Sequence, residues 1–202
     1  MKQRISLLIS VIIISTTTFS QQFTGGVMAG AAATTVAGDR SGGFNKAGLQ
    51  GGFYVNLAIG EFSHLQMELA FFQKGARNKQ NPEEDELNQY LLRLNYVELP
   101  FVYQYRIAHI RFEAGISFDF LMHHHEEVDY QIVDNDVWKR MTLNSVFGIK
   151  YDLTEKLALS LRTVNSINSI RTNQVEGNVR RYSRKQYGAF NDAFLLSFYY
   201  QL

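Results

Sequence analysis

The sequence predicts an all-β protein: an eight-stranded antiparallel up-and-down transmembrane β-barrel with long external loops and short periplasmic turns. Three observations support this fold class. Apolar and polar residues alternate with a period of two in many segments, and the links between those segments alternate between long and short. The chain also contains 15 Phe, 11 Tyr and 15 Gly but only 2 Pro, which suits pleated strands joined by tight bends.

The first residues of the chain differ from the rest. Lys2 and Arg4 precede an apolar run at residues 5–14, and small polar residues follow the run as far as Ser20. This order is typical of a secretory signal peptide, and the run is shorter than the about 20 apolar residues that a transmembrane helix needs. We therefore expect a signal peptide at residues 1–20 and an outer-membrane β-barrel domain at residues 21–202.

The composition excludes several classes of function. The whole chain carries a formal net charge of +1, and cleavage would remove two cations, so a nearly neutral mature chain gives no reason to expect nucleic-acid binding. The chain has no cysteine, which excludes disulfides, thiolate metal sites and an acylated lipoprotein cysteine. Neither a Gly-x-Ser-x-Gly elbow nor a His-Glu-x-x-His motif occurs, so we expect no cofactor and no enzyme.

Seven segments show the alternation, which is clearest at residues 109–122. A strand sends alternate side chains to opposite faces, so each segment has one apolar face, which we expect to contact lipid. The outward faces are Leu49, Phe53, Val55 and Leu57; Leu65, Met67, Leu69 and Phe71; Val97, Leu99, Phe101, Tyr103 and Tyr105; Ile110, Phe112, Ala114, Ile116, Phe118, Phe120 and Met122; Met141, Leu143, Phe147, Ile149 and Tyr151; Leu157, Leu159 and Leu161; and Phe194, Leu196, Phe198, Tyr200 and Leu202. A Gly- and Ala-rich first strand at residues 23–35 completes the even number that closure requires.

The connections predict the orientation of the barrel. Long polar links lie at residues 36–46, 78–89, 123–137 and 171–187, and short ones lie near residues 60–61, 107–108 and 152–155. Outer-membrane barrels have short periplasmic turns and longer external loops. We therefore expect an outer-membrane protein with both termini in the periplasm, in contact with outer-membrane lipid and lipopolysaccharide.

A secreted barrel of the lipocalin type is the competing architecture, because it also closes eight antiparallel strands. Such a barrel buries its apolar face inside and needs no aromatic girdles at its strand ends. Aromatic residues that gather near the predicted strand ends favour lipid instead. They are Phe62, Phe71, Phe72, Tyr90, Tyr96, Tyr105, Trp138, Tyr151, Phe190, Tyr199 and Tyr200.

The polar faces of the strands predict what fills the lumen. The interior of an eight-stranded barrel is about filled by side chains, and buried charges are usually paired, so we favour a structural plug over a channel or a catalytic carboxylate pair. The charged members of this predicted network are Glu68, Glu98, Arg111, Glu113, Asp119, Lys150 and Arg162, and the uncharged ones are Tyr54, Gln66, Gln104 and Asn144.

Three consecutive histidines form the one weak candidate for a metal site. His123, His124 and His125 precede Glu126 and Glu127, and imidazole and carboxylate groups bind zinc or copper. Adjacent side chains of an extended chain point in opposite directions, which leaves His123 and His125 as the weak candidates. We interpret the run as the start of a solvated external loop without a bound metal.

Three stretches carry a family resemblance: GFNKAGLQGGF at residues 43–53, LQMELAFFQKG at residues 65–75 and LNYVELPF at residues 94–101. In this order they resemble the PorT-type outer-membrane β-barrel family of Bacteroidota. Its Tyr-x-Glu-x-Pro motif corresponds to Tyr96, Glu98 and Pro100, and so accounts for a proline inside a predicted strand. The founding member of that family is linked to type IX protein secretion across the outer membrane and to gliding machinery.

Three hypotheses about function follow. The first is a non-enzymatic barrel with a structural or interaction role, to which the resemblance adds an accessory role in protein secretion with other envelope or secretion proteins as partners. The second is a barrel enzyme that acts on lipid, which needs a serine and a histidine together at the outer rim. The third is a secreted lipocalin-like binder of small molecules.

Overall fold

The computed structural model describes residues 23–37, 43–78, 89–133, 137–172, 179–180 and 187–202, and most of these residues form one closed β-barrel. Its strands are β1 (Phe23–Ala37), β2 (Lys46–Ala58), β3 (Ser63–Asn78), β4 (Tyr90–Ile107), β5 (Ile110–Val128), β6 (Met141–Asp152), β7 (Leu157–Ser166) and β8 (Phe190–Gln201). Each strand pairs antiparallel with the next, and β1 also pairs with β8. The predicted eight-stranded antiparallel barrel is therefore confirmed.

The barrel has two different ends. Residues 59–62, 108–109 and 153–156 join β2 to β3, β4 to β5 and β6 to β7 at one end, here called the turn end. Ala108 adopts a positive φ of 53° in the two-residue turn, where the chain reverses most sharply. The barrel's first and last strand residues, Phe23 and Gln201, lie at the same end. The opposite end is called the loop end.

The apolar strand faces point outward and the polar faces point into the lumen. Phe53, Phe147 and Leu161 are more than half exposed, whereas the polar residues between them on the same strands are buried. This arrangement is the reverse of a lipocalin, so the lipocalin-like hypothesis is wrong. The part of the chain that the structure describes contains no helix long and apolar enough to cross a membrane.

The predicted aromatic girdle is partly wrong. Phe62, Phe71, Tyr105, Tyr151 and Tyr200 are exposed on the outer surface, and Tyr90 is half-buried. The remaining five are buried in the interior: Phe72, Tyr96, Trp138, Phe190 and Tyr199. Strand parity places Phe72 and Tyr199 on the inner face of the barrel. There a buried lysine nitrogen lies over each ring, at 4.5 and 3.7 Å from the ring centre.

Strand β5 continues farther than the sequence suggested. Leu121 pairs with Tyr96 and His123 pairs with Asn95, so Met122 is an extra residue in a β-bulge. Beyond the bulge the alternation is shifted by one residue, and the strand runs on to Val128. The prediction that residues 123–137 form a loop is therefore wrong for its first part, since the bulge disrupts the apolar alternation without ending the strand.

Short strands follow the long ones at the loop end. Gln131–Ile132 turns back onto β5 through Asp129 and Tyr130, whose φ values of 49° and 66° fit a tight hairpin turn. Val179–Arg180 pairs with Tyr187–Gly188 as a separate small sheet. Except for Gly188, these short strands lie within the segments predicted as loops at residues 123–137 and 171–187.

Pro100 is accommodated without a shift of register. Its strand β4 pairs with β5 through Pro100 and Ser117, but the pairing with β3 stops between Met67 and Ala70 and then resumes in the same register. A proline has no N–H to donate, so one step of the ladder toward β3 is lost. The interruption is local, and the side chain is buried on the lumen side.

Candidate functional site

The lower charged layer of the lumen consists of Glu68, Glu113, Lys150 and Arg162. Arg162 Nε donates to Glu113 Oε2 at 2.7 Å, and its other nitrogens lie 2.8–2.9 Å from Glu68. Lys150 Nζ lies 3.3 Å from Glu113 Oε1. Two buried cations face two buried carboxylates, so the charges of this layer balance.

Neutral donors complete the lower charged layer. Ser160 Oγ donates to Glu113 Oε2 at 2.8 Å, and Gln104 Nε2 donates to Glu113 Oε1 at 2.7 Å. Tyr199 Oη donates to Glu68 Oε1 at 3.1 Å, and Gln66 donates to the same carboxylate. Neutral donors thus satisfy the remaining hydrogen-bonding groups of the buried ion pairs, and this holds the ion pairs in one geometry.

The upper charged layer lies nearer the loop end and consists of Lys74, Glu98 and Asp119. Lys74 Nζ contacts Asp119 Oδ2 at 2.7 Å and Glu98 Oε1 at 3.6 Å. Ser117 Oγ and Gln50 Nε2 donate to the two oxygens of Glu98 at 2.8 and 3.1 Å. All three charged side chains are at most 1% exposed.

Apolar side chains fill the rest of the lumen. One cluster contains Phe72, Val102, Val146, Val164 and Leu195, and lies on the inner faces of the strands between the two charged layers. Another, here called the apolar cap, covers the loop end. It consists of Val36, Ala76, Leu92, Leu94, Tyr96, Trp138, Ile170 and Ala189. Tyr96 belongs to both the cap and the polar interior, because Asn191 donates to its hydroxyl at 3.3 Å.

A polar cavity of about 740 Å³ opens at the turn end. Arg111 lies in its wall and pairs with Asp152, Nε to Oδ2 at 3.0 Å and a terminal nitrogen to Oδ1 at 2.9 Å. Both side chains are partly exposed, at 21% and 16%. His64 also lines the cavity, and its Nδ1 lies 3.2 Å from Asn56 Oδ1.

The structure divides the predicted network. Glu68, Glu113, Lys150 and Arg162 meet in the lower charged layer, and Glu98 and Asp119 meet in the upper one, whereas Arg111 pairs at the turn end. Sequence reasoning missed Lys74, Gln50, Ser160 and Tyr199. Strand parity could have found Lys74, because it lies an even number of residues after Glu68 on β3.

The predicted motif residues Tyr96, Glu98 and Pro100 all face the lumen from β4. Two of them join other strands: Glu98 contacts Lys74 of β3 and Ser117 of β5, and Tyr96 contacts Asn191 of β8. The motif therefore ties strands together inside the barrel and presents nothing to its outer surface.

The histidines lie on the strand instead of a loop. His125 Nε2 is 3.7 Å from Glu127 Oε2, and the rings of His123 and His124 are 6.4 Å apart. Glu126 points inward and accepts hydrogen bonds from Arg171 and from Tyr90. Among the described residues no group of three or more His, Asp or Glu side chains is placed to hold a metal ion.

The catalytic pair that a lipid-acting enzyme needs is not seen in the residues with described positions. All of the chain's histidines are described, and no serine hydroxyl with a described position hydrogen-bonds to any of their rings. Among contacts between described residues, His64 is the one histidine with a side-chain hydrogen bond, and it lies at the turn end with Asn56 as its partner.

Comparisons with known proteins agree with this architecture. A family model described as outer membrane protein beta-barrel domain matches residues 15–171. The Neisserial surface protein A (NspA) has a similar structure, with a TM-score of 0.53 and 9% identity over 89% of this chain and 97% of that one. Ail, the attachment invasion locus protein of Yersinia pestis, gives a TM-score of 0.51 and 10% identity over 90% and 99%. No curated protein matches the sequence.

We predict that Arg162→Met destabilises the barrel by about 3–5 kcal/mol, because it leaves the buried Glu68 and Glu113 with Lys150 as their one cation. Arg111→Met is the matched control and should cost less than about 1 kcal/mol, since its ion pair is partly exposed to solvent. The free energy of unfolding in lipid vesicles, from denaturant titrations followed by Trp138 fluorescence, measures both values. Equal losses for the two variants would contradict a stabilising role for the lower charged layer.

Proposed function

The chain belongs to the outer membrane protein beta-barrel domain family, and on that basis we propose that it is a closed, non-enzymatic barrel with a structural or interaction role. Its place in the outer membrane follows from the family and from the fold. The observation that carries the proposal is the filled lumen. Two charged layers, an apolar cluster and the apolar cap occupy the interior from the lower charged layer to the loop end.

Because the lumen is filled, the barrel contacts other molecules through its outer surface and its two ends. Moving a solute through the interior would require breaking the contacts between Arg162, Glu113 and Glu68, and each uncompensated charge left behind would be costly in a dry interior. The outward apolar faces contact outer-membrane lipid, and we propose lipopolysaccharide as a further neighbour at the loop end.

We predict that the purified barrel, inserted into planar lipid bilayers, shows no stepwise ion conductance at neutral pH. A general porin inserted into the same membranes is the positive control, and faster migration of the unboiled protein on a detergent gel confirms folding. Discrete conductance steps from the folded protein would contradict the closed barrel.

We also propose that residues 1–20 are an export signal and that both termini of the mature chain are periplasmic. The signal segment lies outside the described residues. The short connections at the turn end support this orientation. The first and last strand residues of the barrel lie at the same end, which agrees with it.

The chain has no cysteine, so single cysteines can test this orientation. Tyr130 at the loop end and Glu155 at the turn end are both exposed. We predict that a membrane-impermeant maleimide labels Tyr130→Cys on intact cells, and labels Glu155→Cys only after the outer membrane is permeabilised. The intact mass of the labelled proteins also shows whether the chain begins at Gln21. Labelling of Glu155→Cys alone on intact cells would reverse the orientation.

A second candidate function is an accessory role in protein secretion. The supporting observation is the PorT-type motif, whose Tyr96, Glu98 and Pro100 all face the lumen. On this proposal the partners are other envelope or secretion proteins, met at the ends of a closed barrel.

We predict that deleting the gene in a Bacteroidota host lowers the amount of type IX cargo in the medium, and that a plasmid copy restores it. A deletion strain that carries the empty plasmid is the matched control. Unchanged cargo in the deletion strain would exclude the secretion role and would leave the closed barrel unaffected.

A further inference from the structure

The upper charged layer has one more negative charge than positive charge. Lys74 faces both Glu98 and Asp119, and these two carboxylates lie directly opposite each other in the register of β4 and β5. Like charges in that position repel each other, and a buried charge without compensation is costly. The lower charged layer balances its charges, so the excess does not arise there.

Three buried oxygen atoms beside this layer have no hydrogen-bond partner among the described residues: Asp119 Oδ1, Thr142 Oγ1 and Asn144 Oδ1. All three residues are 0% exposed. Thr142 lies directly opposite Asp119 in the register of β5 and β6, and Asn144 lies on the same inward face two residues farther along β6. Buried oxygens are normally satisfied, so three neighbours without partners indicate a missing ligand.

The hydrogen bonds of the neighbouring groups limit the rearrangements that could satisfy these oxygens. Asp119 Oδ2 is held by Lys74 at 2.7 Å, and the Asn144 amide nitrogen donates to Ser117 Oγ at 3.1 Å. Ser117 in turn donates to Glu98 at 2.8 Å. The Thr142 hydroxyl has one hydrogen and can donate to only one of Asp119 Oδ1 and Asn144 Oδ1, so at least one of these acceptors needs a further donor or a cation.

Three kinds of ligand could satisfy these oxygens. A water molecule can donate two hydrogen bonds but leaves the excess negative charge uncompensated. A proton on Asp119 removes the charge, but it also removes the ion pair between Asp119 and Lys74. A hard cation compensates the charge and can contact all three, and carboxylate, hydroxyl and amide oxygens are the ligands that such cations prefer.

We propose that the upper charged layer binds one hard cation through Asp119, Thr142 and Asn144. A charge of +1 neutralises the layer, which favours an ion of the sodium type. The apolar cap lies between this layer and the loop end, so the ion is enclosed as the barrel folds. This inference goes beyond the closed barrel proposed above, because it assigns a ligand to the interior.

The experiment compares refolding in sodium chloride with refolding in tetramethylammonium chloride at equal ionic strength, with calcium chloride as a third series. Trp138 is the chain's only tryptophan and lies in the apolar cap, so its fluorescence reports unfolding. With the cation at about 100 times its dissociation constant, linkage lowers the unfolding equilibrium constant about 100-fold. Equilibrium dialysis of the refolded barrel should then show one bound ion.

Two variants remove parts of the site. Asp119→Asn keeps the shape and removes the charge, and it should abolish both the bound ion and the salt-specific stabilisation. Thr142→Val keeps the charge and removes one oxygen, and we expect about a tenfold weaker affinity, which corresponds to about 1.4 kcal/mol. Glu127→Gln is the matched control at the loop end, and it should bind the ion like the wild type.

The outcomes separate the alternatives. Faster gel migration without boiling shows that each variant folds. A wild-type barrel that binds no ion and has equal stability in all three salts would overturn the proposal in favour of a proton. An ion retained by Asp119→Asn but lost from Glu127→Gln would place it on the surface and also overturn the proposal. Neither result affects the closed barrel, which the conductance measurement tests separately.

Discussion

The contact of Arg162 with Glu113 and Glu68 is the interaction on which the rest of the barrel depends. It joins β7 to β5 and β3 across the lumen, at 2.7–2.9 Å and at most 2% exposure. Lipid cannot solvate these groups, and a slip of one residue in any of the three strands would turn its charges outward into the membrane. The interior network and the apolar outer face therefore specify the same register.

Much of this architecture could be predicted from the sequence, because strand parity acts over many residues. The run from Ile110 to Phe120 gives the face of every residue between them, and one charged face in a membrane barrel must be the lumen. Strand parity no longer predicts the face of a residue where the chain departs from regular pairing. The bulge at Met122 reverses the faces of the residues that follow. The residue types around Met122 do not indicate that the strand contains a bulge.

Strand parity also predicts only part of the candidate site. Six of the seven predicted charges lie in the two charged layers, since each occupies an inward position of a regular strand. Their partners could not be predicted, because contacts across the lumen depend on how the strands tilt and stagger. The prediction of an aromatic girdle was partly wrong for a related reason. Tyr96 and Trp138 are as suitable for contact with a buried cation or for an apolar cap as for a membrane interface.

The two ends of the lumen differ in a way that restricts what the barrel can recognise. At the turn end, Arg111, Asp152 and His64 line an open polar cavity, so water and small polar groups reach the interior from that side. At the loop end, Leu92, Leu94 and Trp138 pack together and are at most 4% exposed. A partner on the loop side therefore meets the rim and not the charged layers, since reaching them would require displacing a buried apolar cluster. Recognition by the interior must take place from the turn end, while binding at the loop end depends on groups outside the lumen.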